Sequence, residues 1–224
     1  ANWHMDLLSK VPDAQVVAVA DLAFDKAQAA GKKHRATPYA SHKTMLEKEQ
    51  LDCCYVSIPP HQHGEPEIDV IDCGLPFFVE KPLALRAELA EDIIERIERR
   101  NLGTCVGYQI RYLDTMDKAR EMLKGAFINM VQGYYVCGAI GGWYTRRALS
   151  GGQITEQATH MLDLMRFILG DVEWVAASKR QGAVVTADSL DATALGAGSA
   201  ESKAAGIERH QIGRASCRER VYHP

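Results

Sequence analysis

Short, continuously apolar runs alternate along the chain with stretches patterned at a helical period near 3.6, and this predicts most of the elements. Trp3, Leu7 and Leu8 fit the end of an amphipathic helix over 1–10, broken at Pro12. A dense β run over 15–20 stops on Asp21. An alanine-rich helical pattern covers 24–30, followed by a loop through Pro38 and a helix over 41–48. A second apolar strand, 52–58, closes on Pro59-Pro60-His61, and a helix over 66–73 ends at Gly74. The run PFFVEKP then reads as a short buried strand, 77–79, stopped by proline. A long charged helix over 86–100 and a strand over 104–109 complete the series. The strands are apolar throughout and alternate with helices, which predicts an α/β, doubly wound parallel sheet buried on both faces.

The pattern changes after Arg111. A helix over 114–123 ends near Gly125, and 128–136 alternates like an antiparallel strand with one wet face. A glycine- and aromatic-rich loop at 141–144 leads to Gly151-Gly152 and a strong helix over 153–169, and 172–179 is strand-like. The expected division is 1–111, a parallel α/β domain, and 112–195, part of an α+β domain with a mostly antiparallel sheet. From about Gly196 the pattern fails. Residues 196–224 read as a non-native or disordered tail and are set apart from the fold.

Composition narrows the class. Of 224 residues, 46% are hydrophobic and 25% charged, as in ordinary globular proteins. A net charge of −3 draws the chain toward neither nucleic acid nor an anionic membrane. No apolar run approaches a membrane span, and no basic, apolar leader opens the sequence. The cysteines include no C-x-x-C, and Cys53, Cys54 and Cys105 sit in or beside apolar strands, where a thiol acts as a small hydrophobe. The reading is a reducing, cytoplasmic compartment with no metal site and no disulfide framework.

Candidate chemistry clusters where strands end. Pro82 forces Lys81 out of the helical region, holding it stiffly at a strand's C-terminal end, where open α/β sheets take their ligands. Asp21 ends the first visible β run. A carboxylate there suits the ribose hydroxyls of a dinucleotide and repels a 2′-phosphate, favouring NAD over NADP. Equally, it suits capping of the next helix. Pro59 and Pro60 stiffen a loop on the same rim, and His61 or His63 could reach a nicotinamide or substrate. On the 153–169 helix, Glu156, His160 and Asp163 share one face. A carboxylate one turn from an imidazole can orient it and raise its pKa, as acid–base work requires. An exposed ion-pair ladder is the plainer alternative.

In order, Asp21, the P-P-x-x-H loop reaching His63, Glu80-Lys81-Pro82, the G-Y-Q-x-R-Y segment from Gly107 to Tyr112, and the glycine pair followed by E-x-x-x-H-x-x-D resemble the Gfo/Idh/MocA oxidoreductases. The resemblance covers about 1–195 and implies an incomplete Rossmann-type domain followed by a partial substrate and dimerisation domain. It implies Lys81, His160 and Glu156 as catalytic residues, with the Lys81–Pro82 peptide commonly cis. Cofactor contacts would come from Asp21, Pro59, Pro60, His63, Glu80 and Lys81. Arg111, Tyr112, Asp163 and His160 would meet substrate. The implied reaction is hydride transfer between NAD and a secondary alcohol of a sugar, inositol or related polyol, in a homo-oligomeric parent. An NAD-dependent glycoside hydrolase and a non-catalytic dinucleotide-binding protein are the rival readings. The sequence contains no strand leading into G-x-G-x-x-G, so the 224 residues are expected to bind NAD poorly and to be inactive.

Overall fold

A computed structural model of the chain describes residues 1–136, 141–181 and 191–197. Helix α1 (Asn2–Leu8) buries Met5. Strand β1 (Ala18–Ala20) is followed by α2 (Phe24–His34), which buries Ala27, Ala30 and Gly31 and ends on left-handed Arg35. The chain then returns as β2 (Thr37–Tyr39), parallel to β1 with Ala18 opposite Thr37. This strand occupies the stretch read as a loop. Pro38 argues against a strand but is tolerated on an edge, where β2 lies. Helix α3 (His42–Lys48) starts at Ser41, whose hydroxyl accepts the Lys43 N–H at 3.2 Å.

A second parallel sheet follows: β3 (Cys54–Val56), α4 (Glu65–Asp72), β4 (Phe77–Val79), α5 (Ala87–Arg100) and β5 (Thr104–Val106), in the order β3-β4-β5. Alternate side chains of β3 and β4 (Cys54, Val56, Phe77 and Val79) join Val70 and Ile71 of α4 and Ile93 of α5 in the core. Burying each large apolar side chain contributes about 1.5–3 kcal/mol. Burial pushes the Cys54 thiol up to about 12, so it is inert.

The opposite face differs from expectation. Phe78 stacks on Tyr55 at 5.0 Å and meets His4 of α1 at 5.0 Å, but Cys53, Tyr55 and Cys105 are exposed. The helices α4 and α5 pack on one side only. Among the described residues no ladder joins β1 to β3, so the parallel strands form two groups.

Beyond β5 come a 3-10 turn (Gln109–Tyr112) and α6 (Asp114–Leu123). The strand expected over 128–136 does not form. Phe127, Met130, Tyr134 and Val136 are exposed, and no ladder partner reaches this stretch among the described residues. It nonetheless lies against the later helix: a Cβ at Gly133 would come within 2.6 Å of Met165 Cε. A 3-10 turn (Gly142–Thr145) precedes α7 (Arg147–Ser150). The long helix expected from 153 instead opens with a π-helical turn (Ile154–Ala158) and continues as α8 (Thr159–Leu169). Strands β6 (Val175–Gln181) and β7 (Asp191–Ala197) pair antiparallel, Val175 opposite Ala197. The stretch set apart as a tail lies, from residue 198, outside the described residues. Among the described residues no helix is long and apolar enough to cross a membrane.

Candidate active site

Lys81 leaves the end of β4 on a cis peptide bond to Pro82. Its ammonium donates to the Glu156 carboxylate (Oε1) at 2.6 Å and to the Glu156 backbone oxygen at 2.5 Å. Both side chains are withdrawn from water, 13% and 6% exposed. Glu156 sits in the π-helical turn, a local irregularity that often marks functional sites. Its other carboxylate oxygen accepts from the Gln157 side chain. The turn is reached through Gly151, whose φ of +78° and contacts admit no side chain: a Cβ would lie 2.8 Å from both Leu85 and Thr155. The glycine thus lets the segment after Lys81 close against the turn that carries Glu156.

His160 is buried in α8, as are Asp163 of the same helix and Glu156 of the π-helical turn before it. Their partners differ from those the helical spacing suggests. Glu156 bonds Lys81, and Asp163 bonds Arg111 from the 3-10 turn, with Arg111 Nε donating to Oδ2 at 2.7 Å and Nη2 to Oδ1. Neither carboxylate bonds the imidazole. His160 Nδ1 is buried without a hydrogen-bond partner among the described residues. The ring is held by aromatic neighbours instead, Tyr108 edge-on at 6.1 Å and Tyr135 stacked at 6.4 Å. Burial and the Lys81 ammonium push its pKa below the usual 6.5, against weaker upward pulls from Glu80 and Asp163. The expected rise is therefore a fall, and the imidazole is neutral at neutral pH.

A cavity of about 270 Å³ opens beside Lys81, lined by Phe78, Glu80, Gly107, Tyr108 and Tyr112 among others. Glu80 bonds His4 at 2.6 Å and accepts its neighbour's backbone N–H from Lys81. A Cβ at Gly107 would approach the Glu80 carboxylate to 2.9 Å, so glycine lets β5 run this close. Tyr112 faces the cavity, but Arg111 is engaged with Asp163. Asp21 stands exposed at the end of β1, where its carboxylate accepts the Ala23 N–H at 2.9 Å in the turn before α2; it does not cap that helix, whose N-cap is Ala23. Pro59 leads into a 3-10 turn (Pro60–Gln62) with Pro60 buried and His61 exposed. His63 faces inward: its Nδ1 lies 2.6 Å from Glu67 Oε1, with neither side chain exposed. Among the described residues no cluster of His, Cys, Asp or Glu could hold a metal ion.

The chain is similar to known proteins. A sequence profile described as "Oxidoreductase family, NAD-binding Rossmann fold" matches residues 2–108, and that of the "GFO/IDH/MocA C-terminal domain" matches 92–206. The chain belongs to the Gfo/Idh/MocA oxidoreductase family. It is 27% identical to D-glucoside 3-dehydrogenase of Escherichia coli, over 70% of this chain and 47% of that protein. It is 28% identical to a putative UDP-kanosamine synthase oxidoreductase subunit of Amycolatopsis mediterranei, over 74% and 48%. Its fold superposes on myo-inositol dehydrogenase of Lactobacillus casei, solved with NAD(H) and myo-inositol, at a TM-score of 0.72. That match has 24% identity and covers 88% of this chain and 60% of that one. The chain spans about half the length of the curated relatives it matches. The Gfo/Idh/MocA chain thus carries the NAD-binding, Rossmann-like fold with parallel sheets that its strand pattern predicts.

Several site residues escape a reading of the sequence. Glu67 was findable: it stands four residues after His63, the same helical spacing that singles out Glu156 and His160. Tyr108 and Tyr135 carry no such signal, because their contact with His160 joins distant segments. Tyr144 belongs with them. Burial and the Glu156 and Glu80 carboxylates push its phenol pKa upward.

Proposed function

We propose that the protein is an NAD-dependent dehydrogenase acting on a secondary alcohol of a sugar, inositol or related polyol. The observation that carries this reading is the meeting of Lys81, at the end of a parallel strand, with Glu156 in the turn leading to His160. The residues fit a dinucleotide in part. The cavity beside Lys81 is flanked by Phe78 and the glycine at 107, and Asp21 offers a carboxylate at the end of β1. Asp21 would hold the adenosine ribose, favouring NAD over NADP, with Glu80, Lys81 and the Pro59-Pro60 loop at the nicotinamide end. His63 would act there through the loop, which it braces against Glu67.

When bound, the nicotinamide supplies the acceptor for the hydrogen that leaves carbon with its electron pair. The protein's part is the other half of the oxidation. Neutral His160 takes the hydroxyl proton, and the depressed pKa keeps it available as a base near neutral pH. The Lys81 ammonium stabilises the negative charge developing on oxygen, worth several kcal/mol where water is scarce. Glu156 holds that ammonium in place. Tyr112 lines the cavity on the substrate side.

The test is a screen of sugars, inositols and polyols with the protein expressed from its natural gene, following NADH. Formation of NADH that disappears in Lys81→Met and His160→Gln supports the reading. Full activity in either variant overturns it.

A further inference from the structure

The arrangement of Arg111 and Asp163 differs from that of a substrate-binding pair. Strand β5 lies beside β4 in a register that sets Val106 opposite Val79. Two residues on, Tyr108 and Lys81 emerge side by side and line the same cavity. Tyr108 bonds Thr159, the first residue of α8, hydroxyl to hydroxyl at 3.0 Å. One helical turn further, Asp163 takes two hydrogen bonds from Arg111, both side chains largely buried at 8% and 12% exposed. One turn further again, the Arg111 guanidinium lies 5.0 Å from the Phe167 ring, and Arg120 of α6 lies 4.7 Å from the same ring. Thr159, Asp163 and Phe167 follow i, i+4, i+8 spacing, so one stripe of α8 is docked along its length on the 3-10 turn after β5. His160 projects from the edge of that stripe.

We propose that Arg111 and Asp163 are positioning residues: their two-bond fork, continued by Thr159 and Phe167, clamps α8 to the end of β5 and sets His160 against Lys81. The fork suits the task, since a planar guanidinium fixes both distance and orientation of a carboxylate. The two charges also satisfy each other. The proposal takes from the functional reading only the role of His160 as base. The clamp itself is testable without substrate or cofactor.

The experiment is a pH titration of the His160 ring by NMR on the 224-residue chain, with the resonance assigned through His160→Gln. Deleting the Asp163 charge alone would lower the His160 midpoint further, because a carboxylate favours the imidazolium. Unclamping the helix has the opposite sign, since water reaches the ring and the midpoint climbs toward 6.5. In Asp163→Asn the midpoint is expected to rise with the far-UV circular dichroism unchanged. If Asp163→Asn does not fold, Arg111→Lys, which keeps the charge but loses the fork, decides by the same sign. A midpoint that stays or falls overturns the proposal. In the natural enzyme, Arg111→Lys should lower kcat with KM unchanged. A raised KM at unchanged kcat would make these residues substrate ligands and overturn it as well.

Discussion

Lys81 and Glu156, 75 residues apart, are joined twice, through the glutamate's carboxylate at 2.6 Å and through its backbone oxygen at 2.5 Å. The carboxylate that helical spacing offers to His160 is thereby committed to the ammonium. Glutamate rather than a shorter acid stands at this position, and its reach is toward the strand end.

Breaking this pair should be costly. Glu156→Ala leaves a buried ammonium with half its support, and a loss of about 3 kcal/mol is expected in urea unfolding. Lys81→Met with Glu156→Gln removes both charges and should cost less than the two single changes added together. Strict additivity would mean the two residues do not interact.

The His160 ring should titrate below 6.5 in the folded chain. Its folded form binds a proton less readily than its unfolded form, so low pH favours unfolding. The stability linked to this residue is complete above about 6.5 and is lost as pH falls from there to the depressed folded value. Comparing urea midpoints of the wild type and His160→Gln across that window checks the sign. A wild type that loses no more stability than the variant would refute it.

Gly151→Ala combines a φ of +78° with contacts 2.8 Å from Leu85 and Thr155. Strain at such a position costs on the order of 1–3 kcal/mol. The expected result is a lower melting temperature together with faster amide exchange at 154–158.

Glu67 satisfies both His63 and the Gly64 N–H from a fully buried position. Glu67→Ala strands both donors, at roughly 1–3 kcal/mol for each group left without a partner. Glu67→Gln, which retains one acceptor, should lose less. Equal melting temperatures for the two variants would show that the bonds do not matter.

The parallel strands and their helices were legible because each strand lies in a short, continuously apolar run, and Phe77–Val79 lies where that run ends at proline. Helix α6 likewise coincides with its pattern. Strand β2 was hidden by Pro38 and by its brevity. The stretch 128–136 has the alternation of a strand, but alternation records one apolar face, not a ladder partner, and here the contact is with α8. In the site, spacing singled out Glu156, His160 and Asp163, all three buried. It could not say which carboxylate answers to which cation. Lys81 and Arg111 arrive from other segments and take both acids.

The hold of Lys81 on a main-chain oxygen has a mechanical consequence. A bond to a side chain can be released by one rotamer change, but a bond to the backbone ties the strand end to the course of the distant turn. The loop after β4 and the turn at 154–158 should therefore open together as one cooperative unit, with a shared opening free energy in hydrogen exchange. Replacing Lys81 by methionine would let each fray at its own rate, turning a single exchange isotherm into two.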